Sequence, residues 1–420
     1  MNKTLSLSVL FALLLASVAS AQLKSDDRLA ITGDSITEQK MYSVFIEDYL
    51  LACKPQAHVS TLQYGWGGET SWGFLGRIDN DCLQFHPTIA TTCFGMNDGG
   101  YAAANPERMQ KYREAMTGLA DAFAKAGTRV VLGSPGCVDA NTFRNDPAQA
   151  EIYNQTLAAE RDIVKQIAQE KHVPFADVYS AMHDVMDKAK AKYGPSYHVA
   201  GGDGVHPGAN GHLVMAYAFL KALGCDGNIG TITVDLPSKK AIGTDGQTIK
   251  SFDGTTLTLE STRWPYCFWV DPKLDGKLDD PGNHRGVLPF LPFNQDLNRY
   301  MLVVTGVPAG RKVNVTWGDT SREFTADQLS KGINLADEFL DNPFVQPFRE
   351  LDKLARAQQN FETVMIKNLV HGVKYDLPDN PELIDPIAKA TTKRQQLLSE
   401  KAVAAAATPV THTIRVEVLP

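Results

Sequence analysis

Ser35 stands in the string Gly33-Asp34-Ser35-Ile36-Thr37. A serine hydroxyl attacks an ester at a useful rate only with a base to take its proton, a group that orients the base, and donors for the oxyanion. Three further clusters supply these in order along the first half of the chain: Gly65-Trp66-Gly67-Gly68-Glu69-Thr70, Gly95-Met96-Asn97-Asp98 and Asp203-Gly204-Val205-His206-Pro207. His206 is the candidate general base, and Asp203, three residues earlier, can turn back to its imidazole and hold the productive tautomer. The candidate oxyanion donors are the backbone N–H groups of Ser35 and Gly68 and the side-chain amide of Asn97. Singly, each string is ordinary turn chemistry: Asp34 or Ser35 caps a helix, Gly65 and Gly67 serve a tight turn, and Met96 fills the core. Their order, with three of them at the ends of expected strands, points to one site. His198 and His212 lie nearby, but neither has an acidic residue three positions before it.

These residues need a scaffold that gathers them. From Arg28 to about Leu223, short β-branched runs alternate with longer amphipathic segments, the pattern of βαβ units around a parallel sheet. Strands are expected at Leu29–Thr32, Val59–Gln63, Ile89–Phe94, Thr128–Gly133 and Phe175–Val178. Helices are expected near Thr37–Ala52, Pro106–Ala126, Pro147–Glu170, Ala181–Lys192 and Ala209–Leu223. Right-handed crossovers then give a three-layer α/β/α sandwich. Ligands in such sheets bind beyond the carboxyl ends of the strands, where the first three clusters fall. The helix opened by Ser35 would also favour developing negative charge at its N-terminus.

On these residues the chain resembles the SGNH hydrolase family, also called GDSL esterases, in its secreted, multi-domain form akin to carbohydrate acetylesterases. The resemblance spans Gly33 to Pro207. It implies a flavodoxin-like fold, with Ser35 as nucleophile, Gly68 and Asn97 as oxyanion donors, and Asp203 and His206 as acid and base. The first block ends in Ile36-Thr37 rather than leucine. Gln63 stands where an asparagine often precedes the glycines, and the G-x-S-x-G elbow of the α/β-hydrolases is absent.

The 420 residues carry 41 Lys and Arg against 48 Asp and Glu, with no basic run, which argues against nucleic acid or an anionic membrane surface as partner. Residues 1–21 have the layout of a cleavable signal peptide: Lys3, an apolar stretch from Leu5 to Val18, then Ala19-Ser20-Ala21. Cleavage is expected after Ala21, giving a secreted or periplasmic protein with no membrane anchor. The catalytic domain is expected over 22–226 and a β-rich accessory domain, antiparallel in pattern, over 227–334. A helical segment, broken near Pro378 to Pro386, should cover 335–407, and a final strand over 411–418 should return to the β domain. The helical segment carries no sustained heptad, so it should pack against the other domains.

The six cysteines show no C-x-x-C spacing, and the histidines and carboxylates lack metal-ligand spacing, so no metal or organic cofactor is implied. Cys93 and Cys137 fit either a bridge or plain burial. Asp34, Trp66, Trp72 and Tyr101 are candidate substrate contacts, because aromatic faces beside polar groups suit a sugar. The expected substrate is an acetylated poly- or oligosaccharide. A lipase, thioesterase or aryl esterase on the same triad is the alternative, and a carbohydrate-binding protein with a relic site is the reading from a different class. Oligomeric state is not legible from the sequence.

Overall fold

The computed structural model describes residues 22–373 and 380–420. The expected signal peptide and its cleavage point lie outside the described residues, as does part of the expected helix break near Pro378.

Five parallel strands form the first sheet: β1 (Arg28–Gly33), β2 (Ser60–Gln63), β3 (Ile89–Cys93), β4 (Arg129–Gly133) and β5 (Phe175–Ala176), in the order β2-β1-β3-β4-β5. That order belongs to the doubly wound, flavodoxin-like class, and its switch point lies between β1 and β3. Helices cover both faces: α1 (Ser35–Glu38), α2 (Tyr42–Cys53), α3 (Ser71–Asp81), α4 (Pro106–Lys125), α5 (Pro147–Lys171), α6 (Val178–Tyr193) and α7 (Ala209–Ala222).

Two local features depart from the pattern expected from sequence. The helix expected at Thr37–Ala52 is two helices, because Lys40 takes a left-handed backbone (φ 54°) that ends α1 after one turn. Helix α3 has no counterpart among the expected helices. Gly73 and Gly76 weaken its helical pattern, yet the Thr70 hydroxyl caps it by accepting the Gly73 N–H at 3.2 Å, and Phe74 and Ile78 enter the core.

Beyond Gly224 the chain builds two more sheets. One contains β6 (Asn228–Asp235), β7 (Lys240–Gly243), β10 (Arg299–Thr305) and β13 (Ile333–Asn334), in the order β13-β10-β6-β7. Its β6–β10 pair runs parallel, with the long connection between them acting as a crossover. The other, antiparallel throughout, contains β8 (Gln247–Phe252), β9 (Thr256–Ser261), β11 (Lys312–Trp317), β12 (Thr320–Thr325) and β14 (Val410–Val418), in the order β12-β11-β14-β9-β8. Short helices α8 (Phe293–Leu297), α9 (Ala326–Lys331) and α10 (Leu335–Glu338) precede two long ones, α11 (Val345–Val364) and α12 (Ile384–Ala406). A π-helical stretch, Met365–His371, continues α11.

The long C-terminal helices pack on the first sheet rather than standing apart. Phe361, Met365, Ile366 and Val370 join a core containing Phe74, Phe94 and Leu132. They also cover the free edge of β2, whose unpaired backbone groups would otherwise invite pairing with another chain. Glu362 accepts the Gln63 N–H at 3.0 Å, while the amides of Gln358 and Gln395 approach the Thr61 carbonyl at 3.5 and 3.4 Å. Both amides also donate to Glu362, at 2.9 and 2.8 Å.

Candidate active site

The first cluster turns sharply at the end of β1. A Cβ on Gly33 would stand 2.0 Å from the Thr37 hydroxyl and 2.8 Å from the Cys93 carbonyl, so only glycine fits. The Asp34 carboxylate accepts the Ile36 N–H at 2.9 Å and caps α1, leaving Ser35 at the first helical position, half-buried. Because α1 is a single turn, any oxyanion here must rely on individual N–H donors rather than on a helix macrodipole.

His206 meets this turn from the loop before α7. Its Nε2 lies 2.9 Å from Ser35 Oγ, and its Nδ1 lies 2.7 Å from Asp203 Oδ2. The other Asp203 oxygen accepts the N–H groups of Val205 and His206, each at 2.9 Å, so the carboxylate holds both its own loop and the imidazole. Burial pushes the Asp203 carboxyl up, but the His206 backbone N–H, the His206 ring and the Val205 N–H outweigh it and hold the group below the usual carboxylate range. The loop can fold this tightly because Gly201 and Gly204 take positive φ (88° and 80°), and a Cβ on Gly201 would overlap the His206 carbonyl.

The second and third clusters meet opposite. Asn97 Nδ2 donates to the Glu69 carbonyl at 2.9 Å, tying the end of β3 to the glycine loop. Gly68 has φ 74° with open space around it, so its need for glycine is conformational. Asp98 accepts from Ser71 N–H (2.8 Å), the Ser71 hydroxyl and Gly95 N–H (3.0 Å), and burial pushes its carboxyl up to about 6.

The remaining candidates take varied places. Asp34 is 3% exposed and engaged as the cap of α1. Trp66 is half-buried, with its ring between Arg77 (4.6 Å), Lys367 (4.9 Å) and the edge-on His371 ring (4.9 Å). Trp72, beneath Lys111 at 4.0 Å, lines a groove with Gly99, Gly100 and Arg108. Tyr101 lies at the site, with its hydroxyl donating to Asn97 Oδ1 at 2.9 Å. His212 is buried in α7, just past the His206 loop, where it accepts the Tyr42 N–H at 3.2 Å. Beyond Gly224, the aromatic side chains of Trp264, Tyr266, Phe268 and Trp317 are buried.

Glu38 and Lys367, which pair beside the glycine loop, were not marked by any sequence signal, Glu38 because it lies just past the nucleophile block and Lys367 because it sits in a polar helix far along the chain. Among the described residues, no group of three or more His, Cys, Asp and Glu side chains is placed to hold a metal ion. All six cysteines are free and buried, and burial raises every thiol above its usual range.

Residues 31–214 match the profile of the GDSL-like Lipase/Acylhydrolase family. This region is a GDSL-type esterase domain. An acetylxylan esterase from Geobacillus stearothermophilus is 24% identical to the esterase over 221 residues, 48% of this chain and 95% of that protein. The solved structure of a gut microbial diltiazem-metabolizing enzyme superposes with a TM-score of 0.73 at 23% identity, covering 95% of this chain and 100% of that one. The fold of the esterase therefore recurs there over its C-terminal half as well as its α/β domain.

Proposed function

We propose that this carboxylic ester hydrolase is a secreted serine esterase that removes O-acetyl groups from carbohydrate, with Ser35, His206 and Asp203 as its triad. The observation that carries the reading is the continuous Ser35–His206–Asp203 relay, at 2.9 and 2.7 Å, at the carboxyl end of the parallel sheet. His206 takes the Ser35 proton as the hydroxyl attacks the acetyl carbonyl. The N–H groups of Ser35 and Gly68 and the second amide hydrogen of Asn97 receive the oxyanion. Collapse of the tetrahedral intermediate expels the sugar hydroxyl, which takes its proton from His206, and water then repeats the sequence on the acetyl-serine.

Acetylated carbohydrate as substrate is supported by the acetylxylan esterase relative. Secretion is supported by the layout of residues 1–21 and suits buried thiols that resist oxidation. Release of acetate from acetylated xylan, with activity on test esters falling beyond short acyl chains, is expected. Maximal activity on long acyl chains would replace the acetylesterase reading with a lipase. A fluorophosphonate probe should label the wild type and leave Ser35→Ala unlabelled; labelling of Ser35→Ala would remove Ser35 from the mechanism. The secreted protein should begin at Gln22 by N-terminal sequencing.

A further inference from the structure

The glycine loop that presents Gly68 is held from two sides, and one side is supplied by residues some 300 positions away in the sequence. Glu38 closes the nucleophile's own turn. One of its carboxylate oxygens accepts the Gly67 N–H, and the other pairs with the Lys367 ammonium. The two side chains are only 25% and 21% exposed, so water screens this pair less than a surface ion pair. Lys40 donates to the Glu38 carbonyl at 2.6 Å from the same side.

The loop also presses directly on the nucleophile's turn. A Cβ on Gly65 would stand 2.3 Å from the Glu38 nitrogen. Its start is fixed by Gln63, whose Oε1 accepts the Gly65 N–H at 2.8 Å and whose Nε2 donates to the Thr363 hydroxyl at 2.7 Å. Thus Thr363 and Lys367, four apart on the C-terminal helix, grip the loop at Gln63 and, through Glu38, at Gly67. Lys367 and His371 sit in the π-helical stretch, a distortion that costs regular hydrogen bonding and is common at functional sites. Both residues converge on Trp66 between these two grips.

We propose that Lys367 is a positioning residue for ester hydrolysis: through Glu38 it sets the glycine loop against Ser35 so that the Gly68 N–H meets the oxyanion. This rests on the reading of Ser35 and Gly68 given above. The C-terminal helix is then part of the esterase's machinery, although it lies outside the family-matched residues.

The full-length protein tests this with short-chain esters. Lys367→Met, which keeps length and removes charge, should lower kcat about tenfold, with KM within about twofold of wild type. Lys367→Arg should recover most of the loss. Glu38→Gln should reproduce the defect, and the Glu38→Gln/Lys367→Met double variant should be no worse than the more impaired single variant, because both cut one relay. Wild-type kcat in Lys367→Met would overturn the proposal, as would additive losses in the double variant. A rise in KM alone would also overturn it, since Lys367 would then be binding substrate. Should Lys367→Met fold poorly, the kcat of Glu38→Gln decides alone: unchanged, it refutes the relay. Labelling of Ser35→Ala by the fluorophosphonate would instead strike the triad reading itself.

Discussion

The Tyr101 hydroxyl donates to Asn97 Oδ1 at 2.9 Å and thereby decides which way the Asn97 amide faces. With its oxygen taken by Tyr101 and one hydrogen by the Glu69 carbonyl, the amide keeps one hydrogen for the oxyanion. Tyr101 holds this post from a left-handed backbone (φ 58°), which costs a non-glycine residue on the order of 1 kcal/mol. Its ring is braced by Tyr153 and Phe143, with centroids at 5.1 and 6.4 Å. A strained residue beside the proposed triad suits a role in setting geometry. Tyr101→Phe should lower kcat about five- to tenfold, the value of one hydrogen bond of ~1 kcal/mol. Asn97→Asp should lose ~100-fold or more, because a carboxylate offers no donor and repels the oxyanion. Steady-state kinetics on an acetyl ester measures both, and full activity in Asn97→Asp would remove that residue from the oxyanion hole.

Asp203 accepts two backbone N–H groups as well as facing His206, so replacing it tests orientation more than folding. In Asp203→Asn the side chain still has an oxygen for the loop, but its amide can stabilise the wrong imidazole tautomer. Turnover should fall by about a thousandfold or more while the thermal midpoint moves little. A loss of tenfold or less would mean that His206 is oriented by something else.

The β2 edge links stability to the C-terminal helices. Gln395→Leu leaves both the Thr61 carbonyl and Glu362 short of a donor in a buried place, which should cost about 1–3 kcal/mol in urea unfolding. A chain ending at Gly224 loses every group that covers this edge and exposes the apolar surface beneath α11. It should be recovered as aggregate, and a soluble, fully active truncation would contradict the packing described here.

Buried carboxyls make stability fall as pH rises from the ordinary carboxylate range to about 8. Burial pushes Asp34 up to about 7 and Glu362 to about 7; burial together with the Glu362 charge pushes Glu47 to about 8. The folded protein therefore holds protons that the unfolded chain has already released, and stability declines until pH passes these values. His212, His284 and His412 are pushed down to about 3 by burial. They act with the opposite sign, but only below the ordinary histidine value near 6.5, where the unfolded chain takes up protons. The urea midpoint should thus be lower at pH 8.5 than at pH 6.5, and Glu362→Gln should narrow the difference. A midpoint that is level or higher at pH 8.5 would refute this balance.

The α/β half of the molecule was legible because its first three strands end in residue strings with their own chemistry and its two longest helices, α4 and α5, begin at recognisable caps. Pro106 and Pro147 stand at first helical turns behind Asn105 and Asp146, whose side chains accept the next free N–H groups. The relay from Ser35 to Asp203 was legible for the same reason, since its partners come from short strings of distinctive type. Trp66 shows where such reading stops. Its type fits a sugar-stacking wall, but its ring is occupied by Arg77, Lys367 and His371, two of which arrive from a helix with no local mark of destination. Gln63 is similar: an unusual residue for its block, it makes sense only beside Thr363 and Glu362. Long-range pairing of polar side chains leaves no periodicity to read.

Strand β14 lies in the middle of its sheet, flanked by β11 and β9. A ribosome releases residues 410–418 long after the nucleophile turn has emerged, so the flanking strands wait, unpaired on their inner sides, until translation has passed them. Maturation of this protein is therefore a late event dominated by distant pairings, and a helper that shields open strands during synthesis would raise its yield more than one that speeds helix formation.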